Sequence, residues 1–312
     1  MVDARSAIAL IGDIHSAWSE HDVSYFNDSA YPLLVVLGDL GGSRARDGLR
    51  IARSMAGLTR DALVMPGNND VHEYASIAAE LTYLTGRSAL LDELRAVSVR
   101  PSGAVAPETS VRTCGYSAHA LQLGALNLTL IAARPFAMGG NQVSFSEQLE
   151  QHFGVRTMAQ STERLCALVD AAQTEQLVFI AHNGPTGLGA DPDDIWGRDF
   201  HAQAGDWGDE DLRRTIDYAA TTKRVTRAVV AGHMHWRTRD GKSRRWQRRH
   251  EGILYINAAR VPRIVHEGNR TLHSHIALSV TEDAISAEEV LVESPEPRTA
   301  ILTERPTAST RD

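Results

Sequence analysis

Seven residues of metal-binding type stand at the ends of short apolar runs. They are Asp13 and His15 in Gly12-Asp13-Ile14-His15, Asp39 in Gly38-Asp39, Asn68 in Gly67-Asn68-Asn69-Asp70, His182 in His182-Asn183-Gly184-Pro185, and His233 and His235 in Gly232-His233-Met234-His235. Imidazole, carboxylate and amide oxygen without thiolate suit small, fairly hard cations such as manganese, iron, zinc or nickel, and not copper(I) or an iron-sulfur cluster. Glycine directly ahead of Asp13, Asp39, Asn68 and His233 lets the chain turn sharply without a side-chain clash. One aspartate-any-histidine triplet is more often a surface turn than a ligand pair, so the signal lies in the ordered set. The set fits a pair of divalent or trivalent ions, which would act as Lewis acids and activate bound water.

The elements that must position these groups are legible as aliphatic and β-branched runs. Residues Ala7 to Ile11, Leu33 to Leu37, Ala62 to Met65, Leu126 to Ala132, Leu177 to Ala181, Ala228 to Ala231 and Ile253 to Ile256 read as core strands. Ser43 to Leu58, Val71 to Leu84, Ser146 to Ala172 and Asp209 to Thr222 read as helices between them, the alternation of an α/β layered fold. Carboxyl ends of strands in such sheets face a common crevice, so the seven groups are expected to converge.

GDIH, GD, GN followed by Asn-Asp, a lone histidine and GHMH occur in the order of the motifs of the calcineurin-like metallophosphoesterase superfamily, which the chain resembles from residue 7 to about 260. The resemblance implies a four-layer α/β fold, a two-sheet β-sandwich flanked by helices. It further implies that Asp13, His15 and His235 hold one metal, that Asn68, His182 and His233 hold a second, and that Asp39 bridges them. Ala133-Arg134-Pro135-Phe136, His182-Asn183-Gly184-Pro185 and Gly205-Asp206-Trp207-Gly208 resemble a less-characterised branch in which GNND replaces GNHD or GNHE.

Many members of that superfamily carry, after the GN asparagine, a histidine that contacts the scissile phosphate and assists the leaving group. This chain has Asn69 there. An amide donates a hydrogen bond but delivers no proton, which favours phosphodiesters or nucleotide-type substrates with better leaving groups, or another acid. His72 is either that acid or a solvated histidine in the first turn of a helix. Arg134 and Arg260, each just beyond an apolar run, are either clamps for substrate phosphate or structural ion-pair partners.

Seven basic residues between Arg237 and Arg249, with Trp236 and Trp246 beside them and Asp240-Gly241 as a turn, predict a hairpin after the last ligands. It reads as a rim that grips a nucleotide or single strand, or as a solvated edge. The 184–208 stretch, rich in glycine, aspartate and aromatic residues, reads as a lid or as an ordered cap, and its acidic spacing does not match an EF-hand calcium loop.

One elaborated domain over 1–292, with insertions at about 71–125 and 184–208, and a flexible tail over 293–312, accounts for the chain's 312 residues. A net charge of -7 argues against an extended nucleic-acid partner but not against a small phosphorylated substrate, because bound cations dominate a local field. Two cysteines, Cys114 and Cys166, make no disulfide framework and suit a reducing cytoplasm. The apolar run at 7–11 is too short for a signal sequence or a membrane span, so a cytoplasmic protein with no membrane partner is expected. The expected activity is hydrolysis of a phosphate ester. The competing reading is a protein-binding scaffold that keeps the fold and has weak or no turnover.

Overall fold

A computed structural model describes residues 4–42, 46–81 and 111–295. Two mixed sheets pack face to face with helices on both outer surfaces. The first sheet runs β11-β12-β1-β2-β3-β4, with β13 on β12. In it β1 (Ala7–Ile11), β2 (Leu34–Val36), β3 (Ala62–Val64) and β4 (Val111–Thr113) are parallel. The second sheet runs β5-β6-β7-β8-β10-β9. Its parallel centre is β6 (Leu126–Ala132), β7 (Gln176–Ile180), β8 (Val225–Ala231) and β10 (Ile253–Asn257), with β5 (Ser117–Leu123) and β9 (Gln247–His250) antiparallel at the edges.

Alternation along each central strand builds three apolar layers, since successive side chains point to opposite faces. Ile8, Leu10, Val35 and Leu63 of the first sheet meet Leu130, Val178, Val230 and Ile256 of the second between the sheets. The alternate residues Ala9, Leu34, Val36 and Val64 pack outward against Phe26, Ile51 and Met55 from α1 (Glu20–Asp28) and α2 (Asp47–Met55). On the other outer face, Ile131, Phe179 and Val229 meet Leu149 of α4 (Ser146–Phe153), Leu165 and Val169 of α5 (Met158–Ala171) and Leu212 and Ile216 of α6 (Glu210–Ala220). Both faces of each parallel core are covered, so its strands read in sequence as largely hydrophobic runs, interrupted in β6 by Asn127 and Thr129 and in β8 by Thr226 and Arg227.

Several expectations need adjustment. The helix read over Ser146 to Ala172 is two helices, broken where Gly154 takes a left-handed backbone as the C-cap of α4 and Thr157 opens α5 with a capping box. Helix α1 and the strands β4, β5, β9, β11 (Ile264–Glu267), β12 (Arg270–Val280) and β13 (Ile285–Ser294) were not anticipated as such. β12 carries Arg270, His273 and His275, and β13 carries three glutamates, so neither shows an aliphatic run. β13 reaches Ser294, two residues past the expected domain end, and 296–312 lie outside the described residues. Of the expected 71–125 insertion, a helix α3 is described over 74–81 and β4 and β5 follow from 111, while 82–110 lie outside the described residues.

Candidate metal centre

The loops leaving β1, β2, β3, β7 and β8 meet at the carboxyl ends of the two parallel cores, and they carry all seven expected ligands. Ligand atoms of Asp13, His15 and His235 lie within 4.8 Å of one another, and so do those of Asp39, His182 and His233. Asp39 stands between the groups: Oδ2 is 3.8 Å from His15 Nε2 and Oδ1 is 3.5 Å from His182 Nε2. Asn68 Oδ1 is 2.9 Å from His182 Nε2.

Local backbone explains how short loops aim so many side chains at one place. Asp13, His15, Asp39 and His233 have φ of 47°, 42°, 49° and 67°. Such left-handed values are uncommon outside glycine and cluster at functional sites, where the surrounding structure enforces them. Here the enforcement is visible. His15 N donates to Asp39 O, Gly232 N donates to His182 O, and His233 N donates to Asp13 Oδ1 at 2.8 Å. Glycine serves the close approach of two of these loops: a Cβ on Gly38 would stand 2.6 Å from Gly67 Cα, and one on Gly67 would collide with Asp39.

The donor set fits a cation on grounds internal to the cage. His182 Nδ1 is 2.6 Å from Leu37 O and donates to it, which leaves Nε2 facing Asn68 Oδ1 at 2.9 Å. His15 Nε2 and His235 Nε2 are 3.1 Å apart. Asp13 Oδ2 and His233 Nδ1 are buried with no hydrogen-bond partner, although Oδ2 is 3.3 Å from His235 Nε2. Buried polar atoms left unpaired are costly, and a metal ion is what satisfies lone pairs from several directions at once. Electrostatics agree. Burial pushes Asp39 up, and it would push His182 and His235 down, yet the Asp39 and Asp13 carboxylates raise both rings. Burial, reinforced by His182, takes His233 down to about 3. Two buried carboxylates call for positive charge, which the imidazoles supply only in part.

Two residues outside the expected set hold the loops in place. Asp70 is buried and accepts from Leu40 N and Gly67 N, which clamps the β2 and β3 loops together; burial, with the Asp39 charge, pushes it up to about 7. Asn257 donates to Met234 O and Ile195 O and accepts from Ala259 N, fixing the backbone between His233 and His235. An acid three residues past Gly67 and an asparagine closing an apolar run were the available sequence signals.

The remaining expected residues have different surroundings. Asn69 lies over the cage, with N and Nδ2 each 2.9 Å from an Asp39 oxygen. His72 is exposed in the turn before α3, its ring 6.4 Å from that of Phe145, outside both metal-capable groups. Arg134 has the surroundings of the ion-pair alternative: it is buried between Asp209 (2.5 Å) and Asp211 (2.7 Å), which engage its Nη2 and Nε. Arg260 pairs with Glu289 and lies over Trp236.

The basic hairpin and the acidic 184–208 loop turn out to be partners. Arg244 is buried and donates to Asp194 O, Gly197 O and His235 O, while its guanidinium sits 3.3 Å from Asp199. Arg245 pairs with Asp194, and Arg248 donates to Leu188 O. Trp236 and Trp246 stack at 5.2 Å against the inter-sheet core. Thus three of the cluster's seven basic side chains fasten the loop, and the loop is an ordered wall beside His235.

No family model matches the chain, and no curated protein matches it. Among solved structures it is similar to vacuolar protein sorting 29 from Cryptosporidium parvum, at 10% identity over 93% of this chain and 98% of that one with a TM-score of 0.27. It is also similar to Vps29 from Chaetomium thermophilum, at 11% identity over 95% and 99% with a TM-score of 0.22. At scores this low neither likeness bears on the site. No helix among the described residues is long and apolar enough to cross a membrane.

Proposed function

We propose that the chain is a metal-dependent hydrolase of phosphate esters, as its resemblance to the calcineurin-like metallophosphoesterases implies. The observation that carries this reading is the cage in which metal-capable atoms of Asp13, His15 and His235, and of Asp39, His182 and His233, each lie within 4.8 Å of one another, with Asn68 Oδ1 2.9 Å from His182 Nε2. Asp13, His15 and His235 would hold one ion, Asn68, His182 and His233 another, and Asp39 would touch both. Ions so held supply Lewis acidity toward phosphoryl oxygens and an activated water.

The chain's own residues limit which esters are cut. Asn69 Nδ2 already donates to Asp39 Oδ2, so it orients that carboxylate and offers the substrate no transferable proton. His72 lies in an exposed turn outside both metal-capable groups. Without a positioned acid the leaving oxygen departs best when its own pKa is low, and a positioned acid is normally worth about 10²–10⁴-fold. The substrate class is therefore a diester or anhydride with a stabilised leaving group, and a simple alkyl monoester is a poor substrate. Turnover of bis-p-nitrophenyl phosphate and p-nitrophenyl phosphate by manganese- or iron-loaded protein, in wild type and Asp39→Asn, tests the reading. Metal-dependent diesterase activity lost in Asp39→Asn supports it. Bound metal without turnover of either ester would replace it with a non-catalytic scaffold.

A further inference from the structure

A pocket of about 320 Å³ opens directly beside the cage and shares His233 and His235 with it. Its outer walls come from the 184–208 loop, the hairpin and the turn after β6: Phe200, Trp207, Met138, Arg237 and Arg239. Phe200 and Trp207 meet edge to face at 5.2 Å and 86°, forming an aromatic corner, and Met138 is 37% exposed at its mouth. Asp199 is the one carboxylate lining the pocket, and it is already engaged, accepting from Arg239 N and pairing with Arg244. The Arg239 guanidinium lies over the Phe200 ring, and neither Arg237 nor Arg239 has a carboxylate partner among the described residues. The cavity is thus aromatic, cationic and continuous with the place where a phosphoryl group would sit.

We propose that this pocket is the subsite for the base of a nucleoside phosphate, a reading that rests on the phosphoryl role of the cage. A planar ring with polar edges matches both wall types: an aromatic corner takes the face of any base, and the arginine forks reach its acceptors or a further phosphate. The volume sits at the low end for small-molecule sites, which suits a base with its sugar and not a polynucleotide strand. The wall is preorganised. Trp207 is held by Nε1 to Met138 O at 2.5 Å and by its backbone bonds to Trp196 and Gly140, so little ordering is left for the ligand to impose. Phe200 is partly buried, packing against the outer apolar cluster while leaving part of its ring at the pocket.

Titration calorimetry on the full metal-loaded chain, with AMP, ribose 5-phosphate and adenosine as probes, separates the base from the phosphate. AMP is expected to bind at least tenfold more tightly than ribose 5-phosphate, about 1.4 kcal/mol. In Phe200→Ala that preference falls to threefold or less while ribose 5-phosphate affinity is unchanged. Equal binding of the two phosphates by wild type, or a preference that survives in both Phe200→Ala and Arg237→Ala/Arg239→Ala, overturns the proposal. Adenosine binding to metal-free protein, read from quenching of tryptophan fluorescence, tests the pocket without the cage. Quenching in wild type that Phe200→Ala abolishes supports the subsite even if metal and phosphate binding both fail, and absence of quenching counts against it.

Discussion

Arg134→Met separates a structural arginine from a substrate clamp. In the wild type the guanidinium is 2% exposed, with carboxylates at 2.5 and 2.7 Å that are themselves buried, and Ser161 donates to the same Asp211. Burial pushes Asp209 up to about 7, whereas Asp211 is held below the ordinary carboxylate range, against its burial, by Arg134. Removing the arginine leaves a buried charge uncompensated, which costs about 3–5 kcal/mol. At about 2 °C per kcal/mol for a chain of this size, the Tm should fall by roughly 6–10 °C. The loss should depend on pH with a defined sign. In the variant both carboxyls have folded pKa values raised above the unfolded ones, so their penalty is full above the folded pKa and is relieved as pH falls toward the unfolded value. Urea unfolding at about pH 8 and about pH 5 should therefore show the larger difference from wild type at the higher pH. A further Asp211→Asn change should restore part of the loss. A variant as stable as wild type at both pH values, with weakened binding of inorganic phosphate to the metal-loaded protein, would refute the structural assignment and return Arg134 to the clamp role.

Two further outcomes follow from contacts around the sheets. A methyl group on Gly67 would collide with Asp39 and lie 2.7 Å from His182 Cε1, so Gly67→Ala should weaken metal affinity at least tenfold by equilibrium dialysis while the far-ultraviolet circular dichroism stays that of wild type; undiminished affinity would show that the β3 loop is not fixed as described. Asp22 caps α1 and pairs with Arg263 at 2.7 Å and His273 at 3.0 Å, and against the opposing effect of burial these two hold its carboxyl well below the usual range. Its folded pKa is depressed, so its contribution is present above the unfolded value of about 4 and is lost as pH falls through the folded one. Asp22→Asn should therefore cost about 3–5 kcal/mol near neutrality and progressively less below about pH 4 in urea unfolding, and a pH-independent difference would contradict the linkage.

The parallel cores were readable because most of each strand is buried on both faces, which writes β1 as a continuous aliphatic run and β6 and β10 as largely apolar ones. The cage was readable for a related reason: each ligand follows such a run within a few residues, so local order in the chain maps onto one end of the sheets. β12 and β13 were not readable. Their ten-pair ladder buries His273 and His275 on one strand and leaves glutamates outward on the other, so neither has the composition of a core strand. The sequence left Arg134 open between clamp and ion-pair partner because the aspartates that engage it are more than seventy residues away in sequence. The aromatic pocket likewise joins residues 138, 200, 207 and 237–239, which no local pattern connects. Pairings of that kind are set by tertiary packing and leave no periodic trace.

Metal binding by the cage is the premise on which the hydrolase function rests. Elemental analysis after equilibrium dialysis of the full chain against manganese or iron should give two ions per wild-type chain, and Asp39→Asn should retain one or none because its carboxylate stands between the two ligand groups. A wild-type chain that emerges with less than one ion, or an Asp39→Asn chain that binds as many as wild type, would contradict it.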